Sequence, residues 1–314
     1  MQTKMTSQGN EGNKAPQEKK RLPLTYNVYL KVEELKRLQK PQSDPPHHDE
    51  MLFIVIHQAY ELWFKQILHE LDTVFELLAQ DKILRSTFYL RRVVAILKLL
   101  VQQIHLLETM SPRDFLGFRH NLNPASGFQS SQFREIEFCL GLKDERMLIH
   151  FEEDSQASAT LLKRYESPSL GDAFWAALAK RGFETPAFKP TLSGSELDAF
   201  YALLKEKGGA GKPPTGIDAA TSEEADRLEE KRILELLRIY KDPEAYNDLY
   251  ELAETLFDID ELIFFWRTHH VTVVERMIGF KRGTGGSEGV AYLRSTAMKR
   301  CFPELWKVRT YLER

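Results

Sequence analysis

The sequence predicts an all-α fold: a single helical domain built on long buried helices, with an irregular middle region. Three observations carry this expectation. Strand-like alternation is scarce along the 314 residues. Two very long helical stretches are apolar around much of their circumference, which places them inside a protein. Clusters of Pro, Gly, Ser and Asp punctuate the chain between periodic segments.

The elements follow in order. Residues 1–22 are polar and charged with no apolar centre, so they are neither a signal peptide nor an anchor. They read as a disordered leader, and the helical domain runs over 23–314. "TYNVYLKVEELKRLQ" (25–39) predicts one short amphipathic helix, ended by "PQSDPP". A long helix is expected over 49–80. Asp49 and Glu50 suit its N-terminus, and its first half is apolar nearly all round. A second long helix is expected over 87–110, stopped by "SPRDF". "LNPASGF" (122–128) reads as a loop and 131–142 as a helix. From 143 to 230 the elements shorten, and Gly, Pro and charge mark 205–231 as a mobile loop. Helices resume at "RILELLRIYKD" and at "AYNDLYELAETLFDIDELIFFWRTHHVTVVERMIGF".

Bulk properties exclude several classes. A net charge of −3 gives no basic footprint for nucleic acid. The longest purely apolar run, "MLFIVI" (51–56), is far short of the roughly 18 residues of a membrane span, so no membrane partner is expected. Cys139 and Cys301 are too few and too isolated for a disulfide framework or a zinc site, which favours a reducing cytoplasm.

"GFKRGTGGSEG" (279–289) invites a phosphate-loop reading, but its cations Lys281 and Arg282 precede the glycines. A Walker loop needs Lys and Ser/Thr after them, and a dinucleotide loop needs a preceding strand. Two readings remain open from the residues. Either this is a connector after a helix capped by Gly279, or glycine lets backbone approach a ligand and presents Thr284.

Histidines mark three places. His47 and His48 are adjacent and diverge by about 100° on a helix, which disfavours a shared metal site. His57 shares a helical face with Phe53, Glu61 and Phe64. It is either a core histidine satisfied by a carbonyl or Glu61, or a functional one. His270 lines up with Trp266, Val273, Val274 and Met277, surroundings in which one imidazole can ligate a haem iron; His269 points elsewhere.

Taken together, "LTYNVYL" (24–30), "HHDEMLFIVIHQAYELWFKQILHELD" (47–72), "LETMSPRDFLGFRHNLNPASGFQSSQFREIEFCLG" (107–141), "WRTHHVTVVERMIGFKRGTGGSEGVAYLRS" (266–295) and "FPELWKVRTYL" (302–312) resemble the tryptophan 2,3-dioxygenase family in its bacterial form. The blocks cover somewhat under half the chain, in order, and the likeness is weak over about 151–240. The resemblance implies an all-α homotetramer around a b-type haem, ferrous in the active state, with O2 as co-substrate and L-tryptophan as substrate. Both oxygen atoms enter across the indole C2–C3 bond, giving N-formyl-L-kynurenine, the first step of the kynurenine pathway.

Residue roles follow by the same resemblance. His270 matches the axial iron ligand. His57 matches the distal histidine that meets the indole N–H, with positioning as its first role in catalysis. Arg119 matches the arginine on the substrate carboxylate, and Thr284 the threonine of a substrate-covering loop. Phe53 and Phe115 match the indole pocket, and Ser126 and Gly127 the loop beside the haem. Tyr26, Tyr29 and Leu30 match an N-terminal segment that enters a neighbouring subunit's active site. Two positions depart from the family pattern. Glu288 stands where a small residue is usual, and Phe115 where close bacterial relatives often carry tyrosine. Rival readings are a haem monooxygenase of the same superfamily and a non-enzymatic helical scaffold.

Overall fold

The computed structural model describes residues 24–185, 222–281 and 290–312, with the side chains of 222–226 and Tyr292 left aside. The expected leader over 1–22 lies outside them. The described residues carry twelve α-helices, several 3-10 turns and no strand. None of these helices is by itself long and apolar enough to cross a membrane. The chain divides into two units, residues 1–40 and 41–314.

In the first unit the expected single helix over 25–39 is two short ones, α1 (Tyr26–Leu30) and α2 (Val32–Leu35). Lys31 divides them with φ 56°, a left-handed conformation that a continuous helix cannot contain. The Thr25 hydroxyl accepts from Val28 N at 3.4 Å and starts α1. Neither helix has a buried residue, so no packing enforces one straight axis.

The second unit is organised by three long helices: α3 (His48–Ala79), α4 (Ile83–Gln103) and α10 (Asn247–Ile278). Both expected long helices, 49–80 and the one through 266–278, are present. The core joins Leu71 and Val74 of α3, Leu90, Leu97 and Leu100 of α4, and Leu252, Leu256 and Ile259 of α10. Helices α3 and α10 pack along α4, and their backbones hardly approach each other. Between α4 and the next helix the chain tightens into a 3-10 segment, Ile104–Thr109, so the expected helix 87–110 starts earlier and ends sooner as an α-helix. Gly279 ends α10 at φ 58° and ψ −133°, backbone that a side chain resists, and its N–H reaches Glu275 O at 2.8 Å.

Short helices fill the middle: α5 (Pro112–Arg119), α6 (Ser131–Cys139), α7 (Ser155–Glu166) and α8 (Leu170–Lys180). Asp154 caps α7 through bonds to Gln156 N and Ala157 N at 3.1 and 3.0 Å. The expected loop 205–231 is corrected in its last part. Residues 222–231 open α9 (Ser222–Lys241), because Glu and Lys are good helix formers and Ile233, Leu236 and Leu237 bury one face. Residues 205–221 lie outside the described ones.

The C-terminal segment adds α11 (Val290–Ala297) and α12 (Pro303–Lys307). One fully buried carboxylate, Asp260 of α10, holds it. Asp260 accepts from Cys301 N at 2.8 Å, Phe302 N at 3.1 Å and the Trp306 indole N–H at 2.8 Å. Asp260→Ala leaves three inward-facing donors without an acceptor and lowers unfolding free energy by roughly 3–5 kcal/mol, read as a fall in the urea midpoint. A midpoint within error of wild type contradicts this account of the C-terminal anchor.

Candidate active site

His57 sits on α3 between inward-facing Ile56 and Tyr60. Its Nδ1 lies 2.7 Å from Phe53 O, one turn back. A carbonyl can only accept, so Nδ1 carries the proton and Nε2 keeps its lone pair. The sequence left open a core histidine satisfied by a carbonyl. The carbonyl bond is present, yet the ring keeps an open face and is not sealed in the core. Protein around the ring lowers its pKa, against the opposing effects of the Phe53 bond and the Glu61 charge.

An aromatic wall stands beside it. The Phe53 ring lies 4.0 Å from the His57 ring and 5.8 Å from each of Phe115 and Phe118, which meet edge-on at 5.5 Å. Helix α5 delivers Phe115 and Phe118 because Ser111 caps its start, accepting from Asp114 N at 3.1 Å with Pro112 in the first turn. Gly117 lets α5 approach α3: a Cβ there would stand 2.9 Å from His47 Nε2. His47 therefore serves packing, and His48 points to solvent beside Asp49. Among the described residues no three ligand-type side chains converge on a metal site. Arg119 ends α5, half-buried, where a cation complements the helix dipole.

The expected loop 122–128 is irregular but ordered by its own bonds. Ser126 caps a 3-10 turn over Gly127–Gln129: its hydroxyl accepts from Phe128 N at 3.4 Å, and its N–H donates to Gln129 Oε1 at 3.1 Å. A side chain at Gly127 would meet nothing within 4 Å, so this turn borders open space.

His270 projects from α10. Its ring stacks on Trp266 at 5.2 Å and 24°. Neither ring nitrogen has a hydrogen-bond partner among the described residues. Burial first, then the charges of His57 and Arg134, depress its pKa to about 4. The charge of His57 thus acts on His270 from a separate helix, without ring contact. His269 turns away, its ring 5.1 Å from His105 and its Nδ1 buried without a partner.

Sequence reasoning passed over the ionic frame of this site. Glu137 of α6 pairs with both Arg134 and Arg267, and Arg267 lies three residues before His270. Arg267 also reaches Thr296 O and Lys299 O at 3.5 Å each. No local spacing announces such a set. A cavity of about 420 Å³ lies elsewhere, near the far end of α3 and roughly 22 Å along it from His57. Its charges are already matched. Arg164 pairs with Asp72 and Glu135, and Lys180 donates to Leu78 O and Ala79 O. Neither His57 nor His270 lines that cavity. Thr284 lies outside the described residues. Tyr26, Tyr29 and Leu30 belong to the first unit and are exposed.

Fold and side chains together define an all-helical protein whose long helices carry one tautomer-fixed histidine beside an aromatic wall and one neutral histidine stacked on tryptophan. The family model of tryptophan 2,3-dioxygenase matches residues 10–193 and 224–312. A tryptophan 2,3-dioxygenase from Caulobacter vibrioides is 42% identical over 92% of this chain and 98% of its own. One from Herpetosiphon aurantiacus is 44% identical over the same shares, and one from Bacillus thuringiensis 42% over 92% and 93%. The chain belongs to the tryptophan 2,3-dioxygenase family.

The His270 shift sets a pH dependence. The unfolded chain protonates this residue near pH 6.5 and the folded, haem-free chain only near pH 4. Its contribution to stability is complete above 6.5 and is lost as pH falls through that interval, amounting to roughly 2–3 kcal/mol after allowing for the partly open ring. Urea unfolding of haem-free wild type at pH 7 and pH 4.5 loses that much more stability than His270→Phe does. Equal losses in both proteins contradict it.

Proposed function

We propose that this chain is a haem-dependent dioxygenase that inserts O2 across the indole C2–C3 bond of L-tryptophan to give N-formyl-L-kynurenine. The observation that carries this reading is the state of two imidazoles: His57, fixed in one tautomer at Phe53 O beside the Phe53–Phe115 wall, and His270, stacked on Trp266 and held neutral. Membership of the family supports it.

The residues fit a haem. Iron ligation needs a neutral imidazole with a free nitrogen, and His270 is held neutral at physiological pH with no competing protein bond described. Haem b, held at its iron by His270, supplies dioxygen binding and redox chemistry when bound. His57 presents Nε2 as an acceptor, since its Nδ1 proton is committed to Phe53 O. That lone pair orients the indole N–H. Phe53 and Phe115 form the apolar walls that flank the ring and exclude water. Arg119 grips the substrate carboxylate through a planar pair of donors. Thr284 completes the grip on ammonium and carboxylate. The Ser126–Gly127 turn leaves room for the cofactor edge beside it.

Assembly belongs to the same reading. A homotetramer in which Tyr26, Tyr29 and Leu30 line a neighbour's pocket accounts for α1, whose Tyr26 and Tyr29 are 74% and 70% exposed. The free thiols of Cys139 and Cys301 suit the reducing cytoplasm.

The test is direct. Reduced, haem-loaded protein given L-tryptophan and O2 yields the N-formylkynurenine absorbance and a product heavier by two oxygen atoms. A gain of one oxygen supports the monooxygenase, and a colourless, inert protein the scaffold. His270→Ala purifies with little haem while His269→Ala retains it, read from the Soret band. The reverse pattern moves the ligand by one residue.

A further inference from the structure

Glu61 lies one helical turn beyond His57 on α3, and the resemblance assigns it no role. Its carboxylate accepts from the Ser130 hydroxyl at 2.6 Å through one oxygen and from the Gln132 amide at 2.8 Å through the other. The same Gln132 amide reaches Glu61 O at 3.0 Å. Ser130 simultaneously caps α6, accepting from Phe133 N at 3.2 Å, and its own N–H donates to Gly127 O at 3.2 Å. One side chain therefore ties the His57 turn of α3 to the Ser126–Gln129 turn and to the start of α6.

The tie alone does not require a charge. Both donors are neutral, and no cation pairs with Glu61 among the described residues. A glutamine could accept from Ser130 and, with Gln132 turned over, keep much of the same network. The imidazole one turn away lies within the field of this carboxylate. Glu61 is the charge that acts on that imidazole among the described residues, while the charges acting on His270 of α10 are those of His57 and Arg134. Helix α4 offers no charge here, only Gln103, which donates to Ile56 O at 3.0 Å.

We propose that Glu61 is a positioning residue of this site: it registers the His57 turn of α3 against the Ser126–Gln132 segment and supplies, among the described residues, the carboxylate charge that acts on His57. This rests on the dioxygenase reading for its kinetic consequences, but not for its electrostatic one. Glu61 touches no reacting atom and acts through His57 and through the turn beside the cofactor.

Two variants separate charge from tie. Glu61→Gln removes the anion and keeps the shape. Ser130→Ala keeps the anion and removes one bond. Histidine-resolved NMR titration of the full chain shows His57 protonating about 0.5–1 pH unit lower in Glu61→Gln than in wild type, because an anion no longer favours the imidazolium. Ser130→Ala leaves that midpoint in place. In haem-loaded enzyme, Glu61→Gln lowers kcat/KM about 10-fold and moves the acid limb of its pH profile the same way, with haem content unchanged. Ser130→Ala raises KM with the limb unmoved. A His57 midpoint identical in Glu61→Gln and wild type overturns the inference, whether or not the enzyme turns over. An inactive wild type with the shifted midpoint sinks the dioxygenase reading and leaves the Glu61–His57 coupling standing.

Discussion

The arrangement depends on one packing constraint: α3 and α10 are both laid along α4 and not along each other. Two 32-residue helices share a third as their spine, so their backbones stay apart. Tyr60 anchors one side by donating to Leu100 O of α4 at 2.9 Å. Its ring meets Trp266 of α10 edge-on at 6.0 Å. The two long helices touch through aromatic side chains where their backbones do not. His57 and His270 lie within a turn of that contact. Their separation is therefore set by the core beneath them, and interiors packed to near-crystalline density resist adjustment.

The second constraint is ionic. Glu137 holds Arg134 on its own helix and Arg267 on α10, in a region where all three side chains are nearly out of water. Burying such a set contributes little net stability, because desolvation offsets much of the attraction. Its effect is geometric. Arg267 precedes His270 by less than one turn, so fixing its guanidinium against α6 and the Thr296 and Lys299 carbonyls fixes the azimuth of the helix that carries His270.

How much of this was legible depended on where each partner lies in the chain. Helices α3 and α10 were readable because their apolar residues recur at helical spacing over many turns. The division of the first unit at Lys31 was not, since a single left-handed residue leaves the periodicity of Tyr26, Tyr29 and Leu30 intact. The early start of α9 was hidden by composition: "SEEADRLEEK" has the charge of a loop, and only the apolar face that follows makes it helical. The two histidines stood out because family motifs surround them, and Glu61 because it shares the His57 face. The ties of Glu61 to Ser130 and of Glu137 to Arg267 were not legible, because those partners lie 69 and 130 residues away. Spacing rules see neighbours on one helix, and these contacts join different ones.

The asymmetry between the two imidazoles is the feature that separates the roles proposed for them. Both keep part of the ring open, and desolvation is the first cause of the depressed pKa of each. His57 spends one nitrogen on its own helix, at Phe53 O, which fixes its tautomer and aims a single lone pair outward. An imidazole held in that way orients a donor. His270 is fixed by a face, stacked on Trp266, with both nitrogens uncommitted to described partners. Stacking restrains the plane of the ring and leaves its lone pair available, as a metal ligand requires. The closer pull of an anion distinguishes them further, since Glu61 acts on His57 while the charges felt by His270 are those of His57 and Arg134. Exchanging the two environments would give a ligand biased toward protonation and a substrate partner with no fixed tautomer. The order in which the sequence deploys them, a histidine one turn after phenylalanine on α3 and one turn after tryptophan on α10, is therefore tied to the division of labour proposed for the site.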